Sequence, residues 1–580
     1  MCGIIGYLGY RNAADVCMQG LKRLEYRGYD SWGVAVANGE LNTSKHVGKI
    51  SAFATASLSL PGTIGIGHTR WATHGIPNEV NAHPHLDCRQ KIAVVHNGII
   101  ENFAELRGEL ESRGHVFTSD TDTEVIPHLI EEQGSKNLFE AVESVLTRLQ
   151  GSYAILVITD EGNTLIAAKK GSPLVIGIGD GEYILASDSL PILDYTCQIV
   201  YLEDNDIAEI SLAGYSVKHE GTPVRRPVSH LEWNADQVRK GGFPHYMLKE
   251  IFEQPNAFSN TLRSIDPCSN ILQKISSAKS ITCIACGTSA NAALIFSYLM
   301  ESICHIPTRV VFGSEFKYSP TPHLDLVIGI SQSGETADTL TALSIAKQNG
   351  ASVIGITNVL GSSITRITPD ILYTRAGPEI SVAATKSFTS QVAIFYSMVN
   401  LVSGGKFASE IRSLQKILPE ILNVDLSLAV ELCTSSKNLL YVGRGFYYPV
   451  ALEGALKMKE ISYIHAEGYA AGELKHGPFA LLSEKTPIVM ICVPGLAYSA
   501  MISNIKEVKA RGSPVICIGV AGDRDVEELA DVYVGVPKSS EIGYVLLISI
   551  VLQLLAYHTG VVLGRDVDTP RNLAKSVTVE

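Results

Sequence analysis

The chain has 580 residues, of which 46% are hydrophobic and 18% charged, and a formal net charge of −12. That length exceeds what one core organises and suggests about three or four domains. The acidic balance argues against nucleic acid or an anionic membrane as a partner, and 11 scattered cysteines suit reduced thiols in the cytoplasm better than a disulfide framework.

The chain opens Met1-Cys2-Gly3-Ile4-Ile5-Gly6. Removal of Met1 would leave Cys2 with both a thiol and a free α-amine, whose reference pKa of about 7.7–8.0 suits a general base at working pH. N-terminal nucleophiles pair these two groups. The same run also reads as a first strand with a small buried cysteine. No signal peptide is legible, because Arg11 and a polar helix follow the first seven residues.

Residues 2–215 alternate short strand runs, at 92–95, 153–158, 165–168 and 183–186, with turns and a few helices, which predicts an α+β domain with sheets. Between apolar runs lie segments dense in polar groups. Gly67-His68-Thr69-Arg70-Trp71-Ala72-Thr73-His74-Gly75 supplies a guanidinium able to grip a carboxylate bidentately. Trp71 there reads as packing unless the loop is a lid. His96-Asn97-Gly98 reads as a hairpin turn or as an oxyanion hole built from an amide and a glycine N–H at a strand end. Asn102 with Glu105 suggests a helix cap. Ser119-Asp120-Thr121-Asp122-Thr123-Glu124 reads as a cap cluster, or as a carboxylate for the ammonium of an amino-acid substrate. His83-Pro84-His85 has ligand-like spacing but no completing set nearby, so no metal is expected.

These segments, with Leu24-Glu-Tyr-Arg-Gly-Tyr-Asp30-Ser31, resemble the N-terminal-nucleophile (class II) glutamine amidotransferases. The resemblance implies a four-layer αββα fold and attack by Cys2 on the amide carbonyl of L-glutamine. It places Asn97 and Gly98 in the oxyanion hole, and Arg70, Thr73, His74 and Asp122 around the glutamine. Trp32 departs from the family pattern, where that position is small, and raises the question of packing beneath Asp30-Ser31.

A polar stretch around 220–242, with Pro223, Pro227 and Arg225-Arg226, reads as a linker, and 216–270 as linker plus a leading helix. Beyond it a strand–glycine turn–helix pattern repeats, which predicts parallel sheets with crossover helices. The order recurs about 158 residues later: Gly313-Ser-Glu315-Phe-Lys317 is echoed by Ala471-Gly-Glu473-Leu-Lys475. Two doubly wound units are expected, at 271–415 and 428–565, followed by an ordered tail at 566–580 that ends in a β-like run.

Ser331-Gln332-Ser333-Gly334-Glu335-Thr336, between a strand and a helix, suggests a phosphate site that needs no net positive charge. Cys286-Gly287-Thr288-Ser289 holds the equivalent turn of the first strand, and Cys283 with Cys286 is an improbable redox pair because Cys283 lies within the strand. Glu453, Lys457 and Glu460 share one helix face, usually the mark of a solvated surface pair. His476 falls in a glycine-bounded loop. The segment 544–558 reads as a buried core helix, since Gln553 and His558 interrupt it short of the ~20 apolar residues a membrane span needs.

This half resembles the two sugar-isomerase (SIS) domains of the isomerising glutamine amidotransferases that act on D-fructose 6-phosphate. That resemblance implies a homodimer with no cofactor, in which Thr288, Ser289, Ser331, Gln332, Ser333 and Thr336 bind the sugar phosphate and Val382 lines the site. His476, from the partner subunit, would open the ring. Lys575 would form an imine with C2, and Glu460 would move the proton between C1 and C2 with Lys457 nearby. Trp71 would gate a hydrophobic ammonia channel between the two sites. An asparagine-synthetase-like partner would need a Ser-Gly-Gly-x-Asp-Ser loop, and a phosphoribosyl-transferring one an Asp-Asp run; neither is present. A ligand-sensing module would not require Glu460, His476 and Lys575, and no helix-turn-helix or basic patch is found.

Overall fold

The computed structural model describes residues 2–53, 58, 60–134, 137–231, 239–266, 269–319 and 324–578. Met1 and residues 232–238 of the expected linker lie outside these. The chain divides into two compact units, residues 1–239 with 576–580, and residues 240–575.

The first unit is built on two antiparallel sheets. In the eight-stranded sheet Gly3–Leu8 pairs with Tyr183–Ala186 on one side and Ile64–Arg70 on the other. In the seven-stranded sheet Gly151–Thr159 is flanked by Ile92–Ile100 and Leu165–Lys170. Alternation sends Ile4, Ile66, Val95, Leu156 and Leu185 into one core shared by the two sheets. Ala13–Leu24, with its apolar face inward, covers the outside of the first sheet. Phe103–Ser112, Val125–Glu131 and Leu138–Leu146 cover the second through Leu106, Ile126, Val142 and Ile155. The layers therefore run αββα.

Part of the stretch read as linker belongs to this unit. Thr222–Val224 and Val228–His230 are edge strands, one on each sheet. Pro223 within the first and Pro227 just before the second misled the reading: proline is tolerated where one side of a strand needs no partner and at a strand's start. Trp32 lies buried on the strand Ser31–Ala37, packed against His46 and Phe53 with ring centroids 4.6 and 5.0 Å away.

The second unit opens with the helices Tyr246–Phe252 and Gln254–Ser264 and then holds two five-stranded parallel sheets. Numbered along the chain within each sheet, both have the order 2-1-3-4-5. The first runs Thr308–Phe312, Ile281–Ala285, Leu326–Ile330, Ser352–Thr357, Ile371–Tyr373; the second runs His465–Ala470, Asn438–Gly443, Ile488–Ile491, Val515–Val520, Val532–Val536. The echoed motifs occupy equivalent places, since Gly313–Phe316 and Ala471–His476 each form the short helix after their sheet's second strand. Glu541–Val562 is long and apolar enough by composition to cross a membrane, yet it lies buried and packs along Tyr447–Ser462. Residues 571–578 carry no strand, against the β-like ending expected.

Candidate active site

In the first unit Cys2 sits at the head of the central strand Gly3–Leu8, beside the end of Ile64–Arg70. The Trp71 N–H donates to its Sγ at 3.3 Å, and the thiol faces the Trp71 carbonyl at 3.5 Å. Burial pushes the thiol above its ordinary pKa, and Arg70 nearby works against that shift.

Asn97 is neither in a hairpin turn nor at a strand end, because the strand runs on through Gly98 to Ile100. Its Nδ2 donates to the Cys2 carbonyl at 3.0 Å. The amide is oriented from behind: His68 Nε2 lies 3.1 Å from Asn97 Oδ1 and 2.9 Å from the His96 carbonyl, two acceptors that place the ring proton on Nε2. Burial then holds His68 near 3, neutral at working pH. Gly98 has φ +130°, and a Cβ there would meet the Ser152 carbonyl at 2.0 Å, so only glycine fits.

Arg70 is buried and donates to the carbonyls of His74 and Gly75, which fold the 71–76 loop around its guanidinium. Asp30 accepts from the Ala72 N–H at 2.9 Å and holds the loop's other arm. Asp122 is buried and accepts from the Ile100 N–H at 2.8 Å, which ties it to the strand carrying Asn97. The buried His74 Nδ1 has no hydrogen-bond partner among the described residues, and Thr73 is exposed. Trp71 is half-buried, edge-on to Tyr29 at 5.7 Å.

Two expected caps are absent. The Asn102 side chain instead bridges to the Arg148 carbonyl and the Gln150 N–H. Glu124 turns back to accept from Thr118 and Ser119 rather than capping Val125–Glu131. His83 and His85 are buried and spent on packing and hydrogen bonds, His83 stacked on His68 at 4.0 Å and His85 against Thr121 Oγ1 at 3.0 Å.

In the second unit Thr288 and Ser289 open the helix Gly287–Leu299, which follows the first strand of its sheet. Ser331, Gln332, Ser333 and Thr336 follow the third strand and lead into Ala337–Gln348. With the order 2-1-3-4-5, these two turns flank the switch point where doubly wound sheets bind ligands. Ser331 Oγ lies 2.8 Å from Thr336 Oγ1 and 3.5 Å from Ser333 Oγ, a hydroxyl cluster at the start of a twelve-residue helix. Hydroxyls gathered at a helix start suit a phosphate. Gly334, at φ +68°, lets the turn close: a Cβ there would meet Ser362 Oγ at 2.1 Å.

Glu453, Lys457 and Glu460 are not the solvated pair expected. Lys457 and Glu453 are each 1% exposed, and Lys457 Nζ reaches Glu460 at 2.6 Å, Thr288 Oγ1 at 3.0 Å and Glu453 at 3.5 Å. Thr288 and Asn291 complete the Glu453 carboxylate at 3.0 and 2.8 Å. Burial drives the Lys457 ammonium toward neutrality, but the two carboxylates outweigh it and leave its pKa raised. This network stitches a helix of one sheet to a helix of the other.

The tail returns across the 379–382 segment, where the Val382 N–H donates to the Asp568 carbonyl at 2.9 Å. It buries Lys575 on Glu379, a residue the motif reading did not select. Glu379 also accepts from the Thr385 N–H, the Ser387 N–H and Ser387 Oγ at 2.9, 3.1 and 2.7 Å. Burial alone would raise its pKa; Lys575 and these donors bring it down to about 2. Beside it, burial and repulsion from Glu379 push Glu250 up to about 8. No sequence signal marks Glu379 or Glu250, since each is a lone glutamate outside a recognisable motif. His476 ends the short helix Ala471–His476, exposed rather than in an open loop. Among the described residues it is joined to none of the others by a hydrogen bond or ion pair.

A family model for the SIS domain matches residues 274–401 and 432–563, and one for a glutamine amidotransferase domain matches 68–194. The glutamine–fructose-6-phosphate aminotransferase (isomerizing) of Chlorobaculum tepidum is 45% identical over 615 residues, and that of Thermococcus kodakarensis 47% over 606, each with 100% of both chains covered. The C-terminal domain of glucosamine-fructose-6-phosphate aminotransferase from Francisella tularensis matches with a TM-score of 0.54 at 35% identity, over 57% of this chain and 99% of its own. At such identity over its whole length, the chain belongs to the isomerising glutamine–fructose-6-phosphate aminotransferase family.

Proposed function

We propose that this chain hydrolyses L-glutamine at Cys2 and delivers the ammonia to D-fructose 6-phosphate, giving D-glucosamine 6-phosphate and L-glutamate, the water consumed at the first site being matched by the water released at the second. The observation that carries this reading is the Asn97 amide, oriented by His68 and held against Cys2. With Met1 removed, the α-amine takes the thiol proton and Sγ attacks the glutamine side-chain carbonyl carbon. The oxygen that becomes negative is received by Asn97 Nδ2 and the Gly98 N–H. The C–N bond breaks as the nitrogen takes the proton and leaves as ammonia, and water then cleaves the thioester to free glutamate. Arg70 and Asp122 hold the α-carboxylate and α-ammonium, with Thr73 and His74 beside them, and Trp71 gates the ammonia's exit.

At the second site the hydroxyls of Ser331, Ser333 and Thr336 hold the phosphate, with Thr288, Ser289, Gln332 and Val382 around the sugar. The amine of Lys575 adds to the C2 carbonyl of the open chain and water leaves; ammonia displaces the lysine from the imine. Glu460, poised by Lys457, takes a proton from C1 and returns it at C2, which turns the ketose skeleton into the aldose. In a cytoplasmic homodimer, His476 of one subunit serves ring opening in the other, in keeping with its exposure.

The test is an assay of purified protein for hexosamine phosphate from glutamine and fructose 6-phosphate, with Cys2→Ala and Lys575→Ala alongside. Cys2→Ala should lose glutamine hydrolysis yet still use supplied ammonia; Lys575→Ala should do the reverse. Glutamine hydrolysis by Cys2→Ala at the wild-type rate, or intact mass showing Met1 retained in fully active protein, refutes the first half of the scheme.

A further inference from the structure

Four side chains spread over 44 positions of the first unit converge away from Cys2: Cys88, His115, His128 and Glu131. Cys88 lies in the turn between His85–Leu86 and Ile92–Ile100, and His115 follows the helix Phe103–Ser112. His128 and Glu131 stand one turn apart on Val125–Glu131. Their ligating atoms, Cys88 Sγ, His115 Nδ1, His128 Nδ1 and one carboxylate oxygen of Glu131, all lie within 4.8 Å of one another.

The separations are informative. Sγ is 3.5 Å from each imidazole nitrogen, the two nitrogens are 3.3 Å apart, and Glu131 Oε2 is 3.3 and 3.7 Å from them. A tetrahedral zinc ion with bonds of about 2.0–2.1 Å to nitrogen and about 2.3 Å to sulfur places N···N at about 3.3 Å and S···N at about 3.6 Å. Hydrogen bonding explains the arrangement less well. Each of the four atoms has at most one proton to offer, and each proton bridges one pair, whereas five of the six pairs are close at once.

The surroundings also suit a cation. The other ring nitrogen of each histidine faces a carboxylate without hydrogen bonding to it, His115 Nε2 toward Glu132 at 3.7 Å and His128 Nε2 toward Glu124 at 3.8 Å, so negative charge rings the cluster. His128 is 1% exposed, and its Nε2 makes no hydrogen bond among the described residues. The Val116 N–H donates to Cys88 Sγ at 3.5 Å, as it would to a thiolate. The Cys88 turn is preformed, with the Asp87 carboxylate accepting from the N–H groups of Arg89, Lys91 and Ile92.

We propose that Cys88, His115, His128 and Glu131 form a zinc site. A thiolate with two imidazoles and one carboxylate selects zinc over magnesium or calcium, which take oxygen ligands. Four protein ligands leave no open position, so the site is structural. It fastens three segments beneath the amidotransferase machinery: the turn that launches the Asn97 strand, the 113–117 segment, and the helix that begins three residues after Asp122.

The test uses the full chain purified without chelator or metal-affinity steps, with zinc counted by elemental mass spectrometry. One equivalent of zinc per chain is expected, kept in Cys2→Ala and lost in both Cys88→Ser and His128→Ala. To separate loss of zinc from loss of the fold, the wild-type chain supplies a second readout. Alkylation of Cys88, mapped by peptide mass spectrometry, should speed up about tenfold or more when a chelator strips the metal and frees the thiolate. A wild-type chain that holds no zinc after equilibration with excess zinc and desalting overturns the proposal. So does zinc that survives in Cys88→Ser and His128→Ala, or a Cys88 alkylation rate indifferent to the chelator.

Discussion

Replacing Glu379 by glutamine removes the charge facing Lys575 while keeping shape and one carbonyl oxygen. In the wild-type chain both side chains are buried, 0% and 5% exposed, and the carboxylate takes three further donors from Thr385 and Ser387. A carboxyl brought from 4.5 to about 2 on folding contributes about 3 kcal/mol at neutral pH. Breaking a buried pair by removing one partner costs about 3–5 kcal/mol by mutational precedent, so the two figures agree. The folded value lies below the unfolded one, so the stabilisation is complete above about pH 4.5 and is lost as pH falls through about 2. Denaturant unfolding of the full chain should therefore show a deficit of about 3 kcal/mol for Glu379→Gln at pH 7, shrinking to roughly half by about pH 3. The chain's three tryptophans, at 32, 71 and 233, all precede residue 240, so tryptophan emission follows the first unit, and a circular-dichroism transition that it does not share reports the second. Hexosamine phosphate synthesis should fall while glutamine hydrolysis persists, because Lys575 loses the group that positions it. An unchanged midpoint at pH 7 together with wild-type synthesis would refute the reasoning.

Asn97→Ala should lower kcat for glutamine hydrolysis by about 10²–10³-fold, the usual loss of one oxyanion donor, with ammonia-dependent synthesis intact. A KM effect alone would instead assign Asn97 to substrate binding. Gly334→Ala forces a Cβ against Ser362 Oγ at a positive φ, so KM for fructose 6-phosphate should rise with glutaminase activity unaltered, measured by paired steady-state assays. Glu250, raised to about 8, is protonated in the fold at neutral pH but ionised when unfolded, so its contribution to stability falls as pH climbs from about 4.5 to about 8. Glu250→Gln should gain about 3 kcal/mol on the wild type between about pH 4.5 and about pH 7.5, read from denaturant midpoints; a pH-independent difference would count against the shift.

Much of this protein is written locally. Cys2, the Arg70 loop, Asn97-Gly98 and the strand–turn–helix repeat are runs of adjacent residues, and adjacency survives in a linear string. The internal repeat even foretold two sheets of identical strand order. Pattern failed where burial decides meaning. Spacing placed Glu453, Lys457 and Glu460 on one helix face, but only the packing of that helix against Gly287–Leu299 makes them a buried network. Prolines marked 222–230 as a linker, although edge strands tolerate them.

Adjacent residues alone disclose the chemistry available: which thiol, which amide, which hydroxyls and which lysine the chain holds, and the αββα and doubly wound layers that carry them. Tertiary structure alone decided which distant groups meet. It seats Lys575 on Glu379, 196 residues away, and gathers Cys88, His115, His128 and Glu131 around one point. The reason is physical. A motif is recognised by neighbours in the chain, whereas an ion pair or a ligand set is defined by distance and desolvation, and neither is encoded in spacing.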